Sequence, residues 1–249
     1  MKTILPDVLP NRIDGIETEE QIGSGTLQSV KREIIKKHLK GQKILDLGCG
    51  AGDISKGLGD VTGVDVSEKR LAQAAKNGLK TIKADVCNVP LNEQFDAVLL
   101  TDIIEHVQRP YDLLMGAHRL LKPGGQLFLE TPNAMNFARF LNLVFSPKTR
   151  EESPNHLYLF DRISLTEMLT RTDFIVDKIH YIGFTFPGWR SVTDVAVKAA
   201  GKDKKRKEGK LSMVSRVGWF LGKVFKPFAY TLILVAHKKT ETEDVDDSG

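Results

Sequence analysis

Ile44-Leu45-Asp46-Leu47-Gly48-Cys49-Gly50-Ala51-Gly52-Asp53 is an apolar run of strand length that opens directly into three glycines at alternate positions. Glycines after a first strand permit a tight turn and close approach of a ligand to the backbone, at the carboxyl end of a parallel sheet where ligands bind. The dinucleotide fingerprint puts two residues before its third glycine, which opens a phosphate-binding helix. Here only Ala51 separates Gly50 from Gly52. Asp46 also points away from phosphate, because a carboxylate just before the loop repels a pyrophosphate and suits the ammonium group of an amino-acid ligand.

Short apolar runs on both sides of this stretch alternate with helical periodicity. Lys43 to Leu47, Val61 to Val66, Thr81 to Ala84, Phe95 to Thr101 and Gly125 to Thr131 read as strands. Thr26 to Leu39, Ser67 to Asn77 and Pro110 to Leu121 read as helices, the last with Leu113, Leu114, Ala117 and Leu120 on one face. Lys122-Pro123-Gly124-Gly125 marks a turn that launches a strand. Further on, Leu165 to Leu169 belongs to a helix, Phe174 to Ile182 to a sixth strand and Tyr230 to His237 to a last one. The alternation predicts an α/β fold, a doubly wound, seven-stranded, mostly parallel sheet covered on both faces. The expected domain runs over 25–182 and 230–239, with an N-terminal segment 1–24, an insertion 183–229 and an acidic tail 240–249 that reads as solvated and disordered.

With 249 residues, 41% of them hydrophobic, the chain can bury one sizeable core. Cys49 and Cys87 are too few for a disulfide framework and point to a reducing compartment. The opening run from Met1 to Asp7 breaks its apolar stretch too soon for the hydrophobic region of a signal peptide, so the expected location is cytoplasmic. The net charge of +4 is confined to Lys202–Lys210, where Lys202, Lys204, Lys205, Arg206, Lys207 and Lys210 outnumber Asp203 and Glu208.

The glycine loop with its leading acid resembles that of the class I S-adenosylmethionine-dependent methyltransferases. The resemblance extends to Val61-Thr62-Gly63-Val64-Asp65 and to Lys83-Ala84-Asp85-Val86, so that the matched motifs cover roughly residues 40 to 135. It implies that S-adenosylmethionine is held by Asp46, Gly48, Cys49, Gly50 and Gly52 in the loop and by Asp65 with Val66, Asp65 accepting from both ribose hydroxyls. It further implies that Asp85 meets the adenine amino group and that Val86 and Thr101 belong to the cofactor site. Taken alone, Asp65 or Asp85 reads equally as a helix cap.

The acceptor class has to be read from the end of the fourth strand. No Pro-Pro-aromatic element of the nucleobase amino methyltransferases follows it, and both cysteines lie inside cofactor segments rather than where a C5 nucleophile would stand. The run Asp102 to His106, Leu121-Lys122-Pro123-Gly124-Gly125, Thr131 to Asn136, and His156-Leu157-Tyr158-Leu159-Phe160 resemble the ubiquinone-biosynthesis O-methyltransferase type. That resemblance implies O-methylation of a small or lipophilic hydroxyl acceptor: quinol, phenol, lipid or glycan. Asp102, Glu105 and His106 at i, i+3, i+4 share one face if a helical turn follows the strand. They are candidate ligands for a divalent metal; otherwise Asp102 caps the turn while Glu105 and His106 line the pocket. Glu105, His106 and His156 are the candidate catalytic residues, and either histidine is a candidate base. The competing class is a cofactor-binding regulatory protein without turnover, since fold alone does not establish activity.

The insertion holds Phe184, Phe186 and Trp189, the basic run, and then Val214, Val217, Leu221, Val224 and Phe228 at helical spacing. Arg216 and Lys223 lie on another face, a composition suited to a lid over the pocket or to peripheral docking on an anionic membrane. The two readings are compatible. RNA binding is disfavoured, because no aromatic residue interleaves the lysines.

Overall fold

A computed structural model describes residues 17–19, 27–136, 139, 155–183 and 229–240. Its elements are β1 (Glu17–Glu19), α1 (Leu27–His38), β2 (Lys43–Leu47), β3 (Asp60–Asp65), α2 (Glu68–Lys76), β4 (Lys80–Lys83), β5 (Phe95–Thr101), α3 (Pro110–Leu120), β6 (Leu121–Pro132), α4 (Arg162–Thr170), β7 (Phe174–Ile182) and β8 (Thr231–Lys238). The strands form one sheet in the order β1-β7-β8-β6-β5-β2-β3-β4, parallel throughout except that β8 runs antiparallel to both β6 and β7.

The seven expected strands are present, and β1 adds a short eighth along the edge of β7. Its sequence, Glu17-Thr18-Glu19, has no apolar residue, so periodicity carried no sign of it. The Lys122–Gly125 stretch is likewise drawn into β6 rather than preceding it. Leu121 pairs with Phe95, the register then shifts, and Gly124 takes a φ of +68°, so the expected turn is an irregularity within the strand.

Alternate residues of each central strand face opposite layers. Leu45, Leu47, Val98, Leu100, Leu127 and Leu129 pack with Leu113, Leu114 and Leu120 of α3 and with Leu165 and Leu169 of α4. Ile44, Val61, Ala97, Leu99 and Phe128 pack with Ile35 of α1 and with Leu71 and Ala74 of α2. Each of the Leu, Ile, Val and Phe side chains among these contributes about 1.5–3 kcal/mol when fully buried, which fixes the register because a one-residue slip would turn every apolar side chain to the other layer.

From β2 the chain builds β3 and β4 on one side, then returns through β5 to the other side of β2. That reversal is a topological switch point, and the carboxyl ends of β2, β3 and β5 meet along one edge of the sheet. The basic run Lys202–Lys210, the amphipathic pattern from Ser212 to Phe228 and the tail from Glu241 lie outside the described residues. Among the described residues no helix is long and apolar enough to cross a membrane.

Candidate functional site

Beyond β2 the chain turns in left-handed steps, with φ of +81° at Gly48 and +54° at Gly50; Gly52 follows at +75°. Gly48 N–H donates to Val64 O at 2.8 Å and Cys49 N–H to the same oxygen at 3.1 Å, so the loop crosses over the end of β3. A Cβ on Gly48 would lie 2.8 Å from Ile103, whereas one on Gly50 would meet nothing within 4 Å. Gly48 is therefore fixed by packing. Gly50 opens onto free space.

Residues after the loop form a single turn, with Lys56 N–H donating to Gly52 O at 2.9 Å, rather than a regular helix. Arg32 of α1 holds this turn from outside, its guanidinium donating to the carbonyls of Asp53 at 2.9 Å, Ile54 at 2.5 Å and Lys56 at 2.8 Å. The helix N-terminus that a pyrophosphate needs is absent here among the described residues, as the glycine spacing implied.

Asp46 lies 1% exposed in β2, and neither carboxylate oxygen accepts a hydrogen bond from a described residue. Burial pushes its carboxyl up to about 6, the Ser55 hydroxyl opposing this and the neighbouring Asp65 charge adding to it. A buried carboxylate with only the Ser55 hydroxyl near it calls for a stronger donor, and an ammonium group is the strongest one an amino acid offers. Cys49, beside it, fills the space over Gly63, where a Cβ would come 2.7 Å from its Sγ. Burial and the two nearby carboxylates push its thiol up to about 12, so it packs rather than reacts.

Asp65 ends β3, 7% exposed, with Oδ2 accepting from Gly50 N–H at 3.0 Å and Oδ1 from Ser67 N–H at 2.8 Å. Its carboxylate thus ties the glycine loop to the start of α2, and each oxygen keeps a further lone pair for a ligand hydroxyl. Val66, the next residue, is 66% exposed. After β4, exposed Asp85 accepts from Cys87 N–H at 2.9 Å in a short turn, with Val86 buried beside it.

Thr101 ends β5 opposite Glu130 of β6, and a single turn follows in which His106 N–H donates to Ile103 O at 3.0 Å. The three residues expected to share a face do not all meet. Asp102 adopts a φ of +49° and turns its carboxylate to Lys31 Nζ at 2.7 Å, while Glu105, His106 and His156 bring ligand atoms within 4.8 Å of one another. His156 replaces Asp102 because its loop is pinned to the turn. Leu157 N–H donates to Glu105 O at 2.8 Å, and Tyr158 Oη donates to Gln108 O at 3.1 Å.

Glu105 is 2% exposed and accepts from the Thr131 hydroxyl at 2.9 Å on one oxygen. Burial pushes its carboxyl upward against that hydrogen bond. The His106 and His156 rings meet edge to face with centroids 4.7 Å apart.

Sequence reading missed the support beneath this turn. Lys31, 4% exposed in α1, reaches Glu130 Oε1 at 2.8 Å as well as Asp102, and Glu130 Oε2 accepts from Asp102 N–H at 3.1 Å. Burial lowers the Lys31 pKa, but the two facing carboxylates outweigh this and hold it above its usual value. Two carboxylates share that one ammonium, and burial pushes Glu130 up to about 8 despite it. A lysine within the buried face of α1 was the available signal.

The methyltransferase domain family matches residues 45–129, from within β2 to within β6. Over those residues the chain is similar to methyltransferase domains. The chain is 36% identical over 141 residues to a ubiquinone biosynthesis O-methyltransferase of Dechloromonas aromatica, covering 52% of this chain and 53% of that one. A Pseudomonas aeruginosa protein of the same name is 38% identical over 107 residues, covering 38% and 46%. The chain thus spans about half the length of the curated relatives it matches. Among solved structures, the fold is shared with a methyltransferase of Thermotoga maritima at a TM-score of 0.59 and 21% identity, covering 85% of this chain and 89% of that one.

Proposed function

We propose that this chain transfers a methyl group from S-adenosylmethionine to a hydroxyl of a small or lipophilic acceptor. One observation carries the reading. The open ground at Gly50, edged by buried Asp46 and Asp65, and the group Glu105, His106 and His156 lie beyond neighbouring strand ends at one switch point of the sheet.

The bound donor would supply a sulfonium methyl carbon open to in-line attack, with the electron pair of the broken bond leaving on sulfur. The chain's own work is to orient the two reactants and to manage the acceptor's proton. Asp46 would face the ammonium group, the free lone pairs of Asp65 the ribose hydroxyls and Asp85 the adenine amino group. Glu105, His106 and His156 would stand at the acceptor's oxygen. The alternative of a binding protein without turnover has no such use for a buried carboxylate set against two imidazoles.

A hydroxyl acceptor of lipophilic character is supported by the named relatives and by exposed Leu157 and Leu159 beside His156, with Met135 and Tyr230 exposed around Asn133. The basic run and the amphipathic pattern after it support delivery from an anionic membrane. Flotation with anionic vesicles at low salt, reversed at high salt, tests that part.

The central test is transfer of labelled methyl from S-adenosylmethionine across a panel of quinols, phenols, lipids and sugars. A labelled ether from a lipophilic hydroxyl is expected. Tight binding of the donor with no product on any acceptor class would overturn the reading in favour of a regulatory role.

A further inference from the structure

We infer that α1 is a bracket that sets the two halves of the site against each other, with Lys31 a positioning residue for the acceptor side and Arg32 one for the donor side. What each side does rests on the methyl-transfer reading; the bracket itself rests on geometry. Consecutive residues of a helix do not share a face, so a single turn of α1 can reach two places at once.

Arg32 reaches the turn that follows the glycine loop and donates to the carbonyls of Asp53 at 2.9 Å, Ile54 at 2.5 Å and Lys56 at 2.8 Å. A planar guanidinium spread over three carbonyls fixes the path of that turn rather than a single contact. Lys31 reaches the turn that follows β5, its ammonium 2.7 Å from Asp102 Oδ2 and 2.8 Å from Glu130 Oε1. The two turns leave neighbouring strands, β2 and β5, at the switch point.

The helix that carries both residues is itself anchored across the sheet. Val30 and Ile34 are buried with Ile182 of β7 and Ile233 of β8, and Ile35 with Ile44 of β2 and Leu99 of β5. Glu130 and Thr131 are consecutive on β6, so their side chains leave opposite faces of the sheet. Glu130 Oε2 accepts from Asp102 N–H at 3.1 Å, while the Thr131 hydroxyl donates to Glu105 Oε2 at 2.9 Å. The turn after β5 is therefore held at Asp102 from the layer of α1 and at Glu105 from the layer of α3 and α4.

Asp102 is where this hold matters most. Its φ of +49° is one an L-residue keeps only against strain, and Lys31 with Glu130 supplies the opposing contacts. Relaxation there would move Glu105 and His106, and a misplacement of about 1 Å can cost about a hundredfold in rate.

The test compares three full-length variants. Lys31→Met combined with Glu130→Gln removes the ammonium without leaving a carboxylate buried alone, Asp102→Ala cuts the same grip at a half-exposed side chain, and Arg32→Gln cuts the other one. Calorimetry with S-adenosylhomocysteine gives donor affinity, and kcat with acceptor KM is measured at saturating donor. The Lys31 double variant and Asp102→Ala should each lower kcat by about tenfold or more with donor affinity within about twofold of wild type. Arg32→Gln should weaken donor binding by about tenfold or more and leave kcat within about twofold. Amide chemical shifts need no turnover: the Lys31 double variant should move the resonances of Asp102 to His106 and spare those of Asp53 to Lys56, and Arg32→Gln should do the reverse. A wild-type protein that methylates no acceptor would count against the methyl-transfer reading, and the shifts would still decide the bracket. Donor affinity lost in step with kcat in the Lys31 variant, unchanged donor affinity in Arg32→Gln, or shifts spread alike over both turns would overturn the proposal.

Discussion

The Lys31 ammonium lies 2.7 Å from the Asp102 carboxylate, joining the buried face of α1 to the turn that follows β5. Asp102 is half exposed, but Lys31 and its second partner Glu130 are not. Exchange of Lys31 for an apolar residue would leave Glu130 buried without its cation and release the left-handed turn at Asp102. Breaking a fully buried pair costs about 3–5 kcal/mol, and the exposure of Asp102 reduces this. Lys31→Met should therefore destabilise by about 2–4 kcal/mol in urea unfolding, and adding Glu130→Gln should recover part of the loss. Additive losses in the double mutant would show that the two residues do not act as a pair.

Asp46 makes the apo protein sensitive to pH in the opposite sense to a paired carboxylate. Its folded pKa of about 6 lies above the unfolded value of 3.8, so the folded state binds the extra proton between them. Stability is greatest below about pH 4 as far as this group is concerned and is lost as the pH rises through 6. Two units correspond to about 3 kcal/mol. Asp46→Asn should remove that loss, melting higher than wild type at pH 7.5 in the absence of ligand, and should bind S-adenosylhomocysteine far more weakly. Thermal melts across pH check the first effect and calorimetry the second; equal melting points at pH 7.5 would show that the carboxylate is solvated.

Much of the fold and of the course of the glycine loop was legible because both rest on local patterns. Ile44 to Gly52 combines an apolar strand with glycines whose spacing dictates backbone direction, and Phe95 to Thr101 and Phe174 to Ile182 were bounded by the same logic. What was not legible depends on contacts far apart in the chain. No spacing rule relates His156 to Glu105, 51 positions away; they meet because Leu157 and Tyr158 dock on the backbone of the turn. Nor does spacing reveal that Lys31 diverts Asp102. The i, i+3, i+4 reading assumed a helix, and the left-handed φ at Asp102 breaks it at its first residue.

Gly50 separates binding from folding. Its φ of +54° costs an L-residue about 1–2 kcal/mol, and the space a Cβ would enter is empty of protein atoms. Gly50→Ala should lower stability by no more than about 2 kcal/mol, yet weaken S-adenosylhomocysteine binding by far more than that strain accounts for. Melting and calorimetry on one preparation decide it. Affinity reduced less than about tenfold would mean that the ligand does not approach the loop at this residue.

The acceptor side should respond in turnover rather than in donor affinity. His106 is fixed as the Nδ1–H tautomer by the Asn155 carbonyl, and Glu105 is held by Thr131, so both present a defined atom on the edge beyond β5. Proton handling by a positioned group is worth about 10²–10⁴-fold in rate, and His106→Ala should lose kcat on that scale while binding S-adenosylhomocysteine within about twofold of wild type. Thr131→Val leaves Glu105 in place but frees its second oxygen, and should lower kcat by about 10-fold or more without altering donor affinity. Single-turnover measurements with saturating donor separate chemistry from product release. If His106→Ala turns over at the wild-type rate, the imidazole serves only to pack against His156, and the acceptor's oxygen must be sought elsewhere along the strand ends.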